Sequence, residues 1–178
     1  MVKMARMSGM FSLRDLPKYE AIRQRVSRYP DVHPAAVETF LVLLRVASDV
    51  LVGLETHLGR REISQGRFNV LMVLNREPSV GLAPSDLAVR CGVTRATMTG
   101  LLNGLERDGL ITRQPDAQDR RMTTCCLTPK GTAYLDTILP EFYGRIDQLM
   151  GQLTEEEKLL LEKLLWKVNE GITALTRT

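Results

Sequence analysis

Arg95, Thr97, Thr99 and Asn103 set a guanidinium, two hydroxyls and an amide along one short stretch of the chain, with the small residues Ala96 and Gly100 among them. On a helix, such donors and acceptors can read base edges in the major groove of a duplex, and small neighbours let the backbone come close. Further on stands Asp119-Arg120-Arg121. Arginines at the tip of a hairpin can reach phosphates or the minor groove. Asp119 would weaken a simple phosphate clamp and is better suited to orienting an arginine or bonding the turn backbone. Taken singly, either group also fits a solvated helix face or a charged turn, so its meaning rests on the elements that carry it.

Those elements can be read from the apolar pattern. Pro84 to Arg90 forms a short helix with Leu87 and Ala88 inward, and Cys91, Gly92 and Val93 interrupt it. Gly92 supplies the positive φ of a tight turn, and Thr94 has the oxygen an N-cap needs. Met98, Leu101, Leu102 and Leu105 then fall at helical intervals, leaving Ala96, Gly100, Asn103 and Arg107 on the other side, flanked by Arg95, Thr97 and Thr99. Leu110 to Gln114 reads as a strand, Pro115 to Gln118 as a turn, and Met122 to Leu127 as the returning strand. Helix, turn, helix and arginine-tipped hairpin in this order spell a winged helix-turn-helix, which makes double-stranded DNA the expected partner.

Three longer helices surround this unit. Pro34 to Leu58 carries Val37, Phe40, Leu41, Leu44, Ala47, Leu51, Leu54 and Leu58 at helical intervals before Gly59. Thr128 and Pro129 start a helix through Leu153, with Pro140 expected to kink it. Thr154 and Glu157 form a capping-box pattern ahead of Leu159, Leu160, Leu161, Leu164, Leu165, Trp166, Val168 and Ile172. Their apolar surface exceeds what one small winged domain can cover, so a homodimer interface is expected over an intramolecular bundle. Ahead of them, Leu16, Tyr19, Ile22, Val26 and Tyr29 mark an amphipathic helix within Asp15 to Tyr29, with Lys18, Arg23, Arg25 and Arg28 outside.

Length and composition set bounds. A chain of 178 residues with 44% hydrophobic content can build one well-packed domain, and a net charge of +3 is mild, so attraction to DNA must come from local arrangement. No apolar run approaches the roughly 20 residues needed to span a bilayer, and no signal-peptide segment follows the basic residues near Met1, so a cytoplasmic protein without membrane association is expected. Three cysteines fit a reducing compartment. Cys91 reads as packing in the turn. Cys125 should point inward beside Thr123 and Leu127 and Cys126 outward, so a disulfide between these neighbours would distort the strand. His33 and His57 are the only histidines and lack the spacing of a zinc site. With no phosphate loop, nucleophile elbow or paired metal histidines, neither enzyme activity nor any cofactor is expected.

The run Leu87-Ala88, Gly92-Val93-Thr94, Leu101-Leu102, Leu105-Glu106-Arg107-Asp108-Gly109-Leu110-Ile111, Asp119-Arg120-Arg121 and Leu127-Thr128-Pro129-Lys130-Gly131 resembles the MarR (multiple-antibiotic-resistance regulator) family of bacterial transcription factors. The resemblance implies a mainly α fold with a small β-hairpin wing, made of a winged helix-turn-helix lobe plus a helical dimerisation domain. It divides the chain into an arm at 1–32 and a MarR-type domain at 33–174, with the winged part about 62–128 and dimerisation helices about 34–58 and 129–174. It places the family's Asp-x-Arg wing motif on Asp119 and Arg121, with Arg121 in the minor groove and the helix after Thr94 in the major groove. It also implies a repressor on a pseudo-palindromic operator, released by a small aromatic effector between the dimer helices and the winged lobe, near His57, Arg60, Arg61 and Phe68. Gly100 and Gly104 depart from the larger polar or basic residues usual there, and Ala83 stands in place of a Thr or Ser cap. The alternatives are a winged-helix protein-interaction module and a redox-responsive regulator acting through Cys126.

Overall fold

The computed structural model describes residues 19–76, 81–115 and 123–175. Its elements run α1 (Tyr19–Val26), α2 (Pro34–Gly59), α3 (Gln65–Leu74), α4 (Pro84–Arg90), α5 (Arg95–Arg107), β1 (Ile111–Pro115), β2 (Thr123–Leu127), α6 (Pro129–Met150) and α7 (Glu155–Glu170), followed by a 3-10 turn (Gly171–Leu175). The mainly α architecture with a two-stranded antiparallel hairpin is the one expected.

Local chemistry explains most boundaries. Thr94 Oγ1 accepts from Thr97 N at 3.2 Å, Thr128 Oγ1 from Gly131 N at 3.0 Å, and Thr154 with Glu157 closes both bonds of its capping box. Such caps each stabilise a helix start by about 1 kcal/mol. α4 opens on Ala83 with no side-chain cap, and Pro84 in its first turn needs no partner for a missing N–H. Gly92 and Gly109 end α4 and α5 at φ +64° and +70°, where a Cβ would be strained.

The core is the winged lobe. Leu71 of α3, Leu87 of α4, Met98, Leu102 and Leu105 of α5 and Cys125 of β2 are at most 1% exposed and meet Leu135 and Ile138 from the first half of α6. Burying each of the large side chains stabilises the lobe by about 1.5–3 kcal/mol. In the hairpin, Ile111 pairs with Leu127 and Arg113 with Cys125, and an isolated bridge joins Leu82 to Cys125 from the other side. Gly131 lies so close to the carbonyl of Leu110 that a Cβ would collide with it, which roots α6 at the base of the hairpin.

Several sequence expectations are corrected. The first strand begins at Ile111 rather than Leu110 and includes Pro115, because Leu110 is occupied in the turn, accepting from Thr128 N at 3.1 Å. Thr123 is exposed rather than inward with Cys125; it pairs with Pro115 at the end of the ladder farthest from Ile111 and Leu127. The N-terminal helix ends at Val26, with Ser27 in a turn and Tyr29 in a bend; Leu16 lies outside the described residues, and Ile22 and Val26 are buried while Tyr29 is exposed. α6 stops at Met150 rather than Leu153, with Gly151 as its C-cap, and holds Pro140 inside it.

Outside the lobe the helices are apolar and bare. α2 buries only Leu58, while Phe40, Val42, Val46, Leu51 and Val52 are exposed. α7 buries none of its residues, and its Trp166 is 62% exposed. No described helix is long and apolar enough to cross a membrane.

Candidate nucleic-acid interface

The buried stripe of α5 fixes which side chains turn outward. With Met98, Leu102 and Leu105 against α3 and α4, Arg95, Thr97, Thr99, Gly100 and Asn103 are exposed. The four polar residues expected to act together do share the outer surface of one helix. Three of them are engaged locally. Thr97 Oγ1 lies 2.9 Å from Thr94 Oγ1, Thr99 Oγ1 donates to Arg95 O at 3.0 Å, and Asn103 Oδ1 accepts from Arg113 Nη2 at 2.8 Å. The guanidinium of Arg95 has no partner among the described residues. The hydroxyls keep acceptor capacity, and Asn103 keeps its NH₂.

Asp119, Arg120 and Arg121 lie outside the described residues. The strands that lead to them are in register through Pro115 and Thr123, beside the C-terminal half of α5. Arg113, on β1, is a residue that sequence spacing did not single out. It also pairs with Glu106 at 3.3 Å, and so ties the hairpin to the outer face of α5. Strand alternation points Arg113 to one side of the hairpin but cannot show which groups of α5 it meets.

A second concavity lies between α2 and α6. It encloses about 650 Å³ and is lined by Val46, Leu54, His57, Arg60, Phe142 and Arg145, among others. Nε2 of His57 is buried there without a hydrogen-bond partner among the described residues. His57 and Arg60 line this groove, but its walls come from α2 and α6, the helices expected to dimerise, and not from the winged lobe across which the effector cleft was expected. Arg61 and Phe68 do not line the groove: Arg61 is ion-paired with Glu141, and Phe68 is buried beneath Phe142, ring centroids 4.7 Å apart. The Arg61 contact holds the Glu141 carboxyl below its ordinary range.

The three cysteines are free. Cys125 is fully buried and Cys126 half-buried, the alternation expected of neighbours on a strand. Burial pushes the thiols of Cys91 and Cys125 up, opposed by Arg76 and Arg113 respectively, so neither is an activated thiolate. Among the described residues no cluster of three or more His, Cys, Asp or Glu is arranged to hold a metal ion.

A capped helix with a polar outer face, a tight glycine turn before it and a hairpin after it define a winged helix-turn-helix protein. The sequence profile of the MarR family matches residues 61–122. The HTH-type transcriptional repressor YetL of Bacillus subtilis is 34% identical over 161 residues, covering 90% of this chain and 96% of YetL. The transcriptional repressor MprA of Escherichia coli is 27% identical over 152 residues, 85% of this chain and 86% of MprA. Among solved structures, MepR of Staphylococcus aureus in its DNA complex is similar at a TM-score of 0.66 and 26% identity, covering 74% of this chain and 94% of MepR. The chain belongs to the MarR family.

Proposed function

We propose that this protein is a homodimeric, sequence-specific DNA-binding transcriptional repressor, released from a pseudo-palindromic operator by a small aromatic compound. The observation that carries the reading is α5, whose Arg95, Thr97, Thr99 and Asn103 lie exposed on a helix held rigid by a fully buried opposite face. The similarity to YetL and MprA, both named repressors, and to MepR, solved with DNA, supports it.

In this reading α5 enters the major groove and the wing, through Arg121 with Asp119 and Arg120 beside it, reaches the minor groove. The chain divides into an arm at 1–32 and a regulatory domain at 33–174, with the winged part about 62–128. The bare apolar faces of α2, α6 and α7 join two copies, so that two α5 helices meet half-sites about one helical turn apart. The groove between α2 and α6 takes the effector. Its apolar lining suits an aromatic ring, while Arg60, Arg145 and the unpartnered His57 Nε2 suit a carboxylate or phenol. Binding there needs to couple to DNA by only about 1–3 kcal/mol to release it.

Fluorescence anisotropy with labelled fragments of the source genome tests the reading. The expected result is tight binding to a few fragments, with log K falling against log salt by about 0.9 per phosphate contact. Binding to none of them, or binding indifferent to salt, would favour a protein-interaction module instead.

A further inference from the structure

Arg113 reaches from β1 to the outward face of α5 and grips two residues one turn apart. Its Nη2 donates to Asn103 Oδ1 at 2.8 Å, and its Nη1 lies 3.3 Å from Glu106 Oε2. A guanidinium has only donors, so the amide atom that faces it is the oxygen. The NH₂ group of Asn103 is left over, and among the described residues nothing accepts from it. The grip is firm. Arg113 stands across the hairpin from the fully buried Cys125, its side chain is 27% exposed, and Glu106 balances its charge.

An asparagine that recognises adenine uses both ends of its amide, accepting from N6 and donating to N7. We propose that Arg113, by holding one lone pair of that oxygen and fixing the amide's orientation, leaves Asn103 to act at the base edge chiefly as a donor, which favours guanine, with O6 and N7, or thymine, with O4, over adenine, whose N7 lies beside the N6 donor. Arg113 is then a positioning residue that sets base preference without touching DNA. Glu106 keeps Arg113 from turning toward a phosphate. This inference rests on the reading of α5 as the major-groove helix.

Selection from a randomised duplex pool by the full-length protein tests it. Asn103→Ala identifies the base pair in question as the one whose preference disappears. At that position the wild type is expected to favour guanine or thymine over adenine by about tenfold, the worth of one good hydrogen bond. Arg113→Met frees the amide oxygen and should raise adenine to parity. Asn103→Asp still accepts from Arg113, which keeps the hairpin tied to α5, but it has no donor and should shift the preference to cytosine. Adenine selected by the wild type, guanine or thymine retained by Asn103→Asp, or a profile unchanged by Asn103→Ala would each overturn the proposal. A pool that yields no enriched sequence would instead remove the DNA-binding reading, and this inference with it.

Discussion

Arg67 of α3 is ion-paired with the carboxylate of Asp108, the C-cap residue of α5, and also donates to Gly104 O at 3.4 Å. Two more groups hold the same end of that helix from α6. Lys130 Nζ donates to Asp108 O at 2.8 Å and Thr128 Oγ1 to Gly109 O at 2.7 Å. The C-terminal end of α5 and the two residues after it are thus held by side chains of α3, of α6 and of the α6 N-cap, which orients its exposed face relative to the hairpin.

The Arg67 contact holds the Asp108 carboxyl below its ordinary value, chiefly through the hydrogen bond. A lowered folded-state pKa gives stability that is complete above the unfolded value, about 3.9, and lost as the pH falls through the folded one. Arg67→Met should therefore flatten the acid limb of stability against pH. Denaturant melts from neutral pH down to about pH 3 check this, and parallel curves for the two proteins would show that the pair contributes nothing.

Gly100 faces open space, and a Cβ on Gly104 would meet Arg67 Nε at 3.6 Å, an ordinary contact. Alanine at either position should stabilise the protein by about 0.5–1 kcal/mol, read from thermal or urea melts. Gly100→Leu should fold as well but bind DNA more weakly, because its bulk would hold α5 away from the base edges. Undiminished affinity would mean that this part of the helix stands clear of the duplex.

The elements around the site were largely legible. Gly92, the Thr94 cap, the stripe of Met98, Leu102 and Leu105 and the Thr154 capping box all act locally, and local chemistry shows in spacing. What spacing concealed lies between elements. Nothing in the order of residues tells that Arg113 ends on Asn103, that Arg67 ends on Asp108, or that Leu82 adds a single bridge to β2. Phe68 was readable as an aromatic near the groove, but its place beneath Phe142 depends on how α3 meets α6.

α7 is the sharpest test of assembly. Leu164 and Trp166 are 48% and 62% exposed, an arrangement that is costly for an isolated chain and ordinary for an interface. Leu164→Glu is expected to yield a monomer by sedimentation or light scattering, with DNA affinity falling steeply as the second half-site contact is lost. A dimer of unchanged strength would place the interface elsewhere.

Arg121→Ala should lower operator affinity on the order of tenfold while leaving the melting temperature within error, since the proposed reading gives Arg121 a charge to place at the DNA. Titrations of wild type and variant against one fragment at fixed salt decide this. Equal affinities would remove Arg121 from the contact surface.

α6 starts where Gly131 abuts the Leu110 carbonyl and runs 22 residues to Met150, whose neighbour Leu149 lines the groove beside α2. At 1.5 Å per residue this is a lever of about 33 Å. A tilt of roughly 5° about one end moves the other by about 3 Å, close to the 3.4 Å step between stacked bases. If, as proposed, two copies pair and a small ring wedges in at the distal end, such a tilt would throw one reading head about a full rung out of step with its twin.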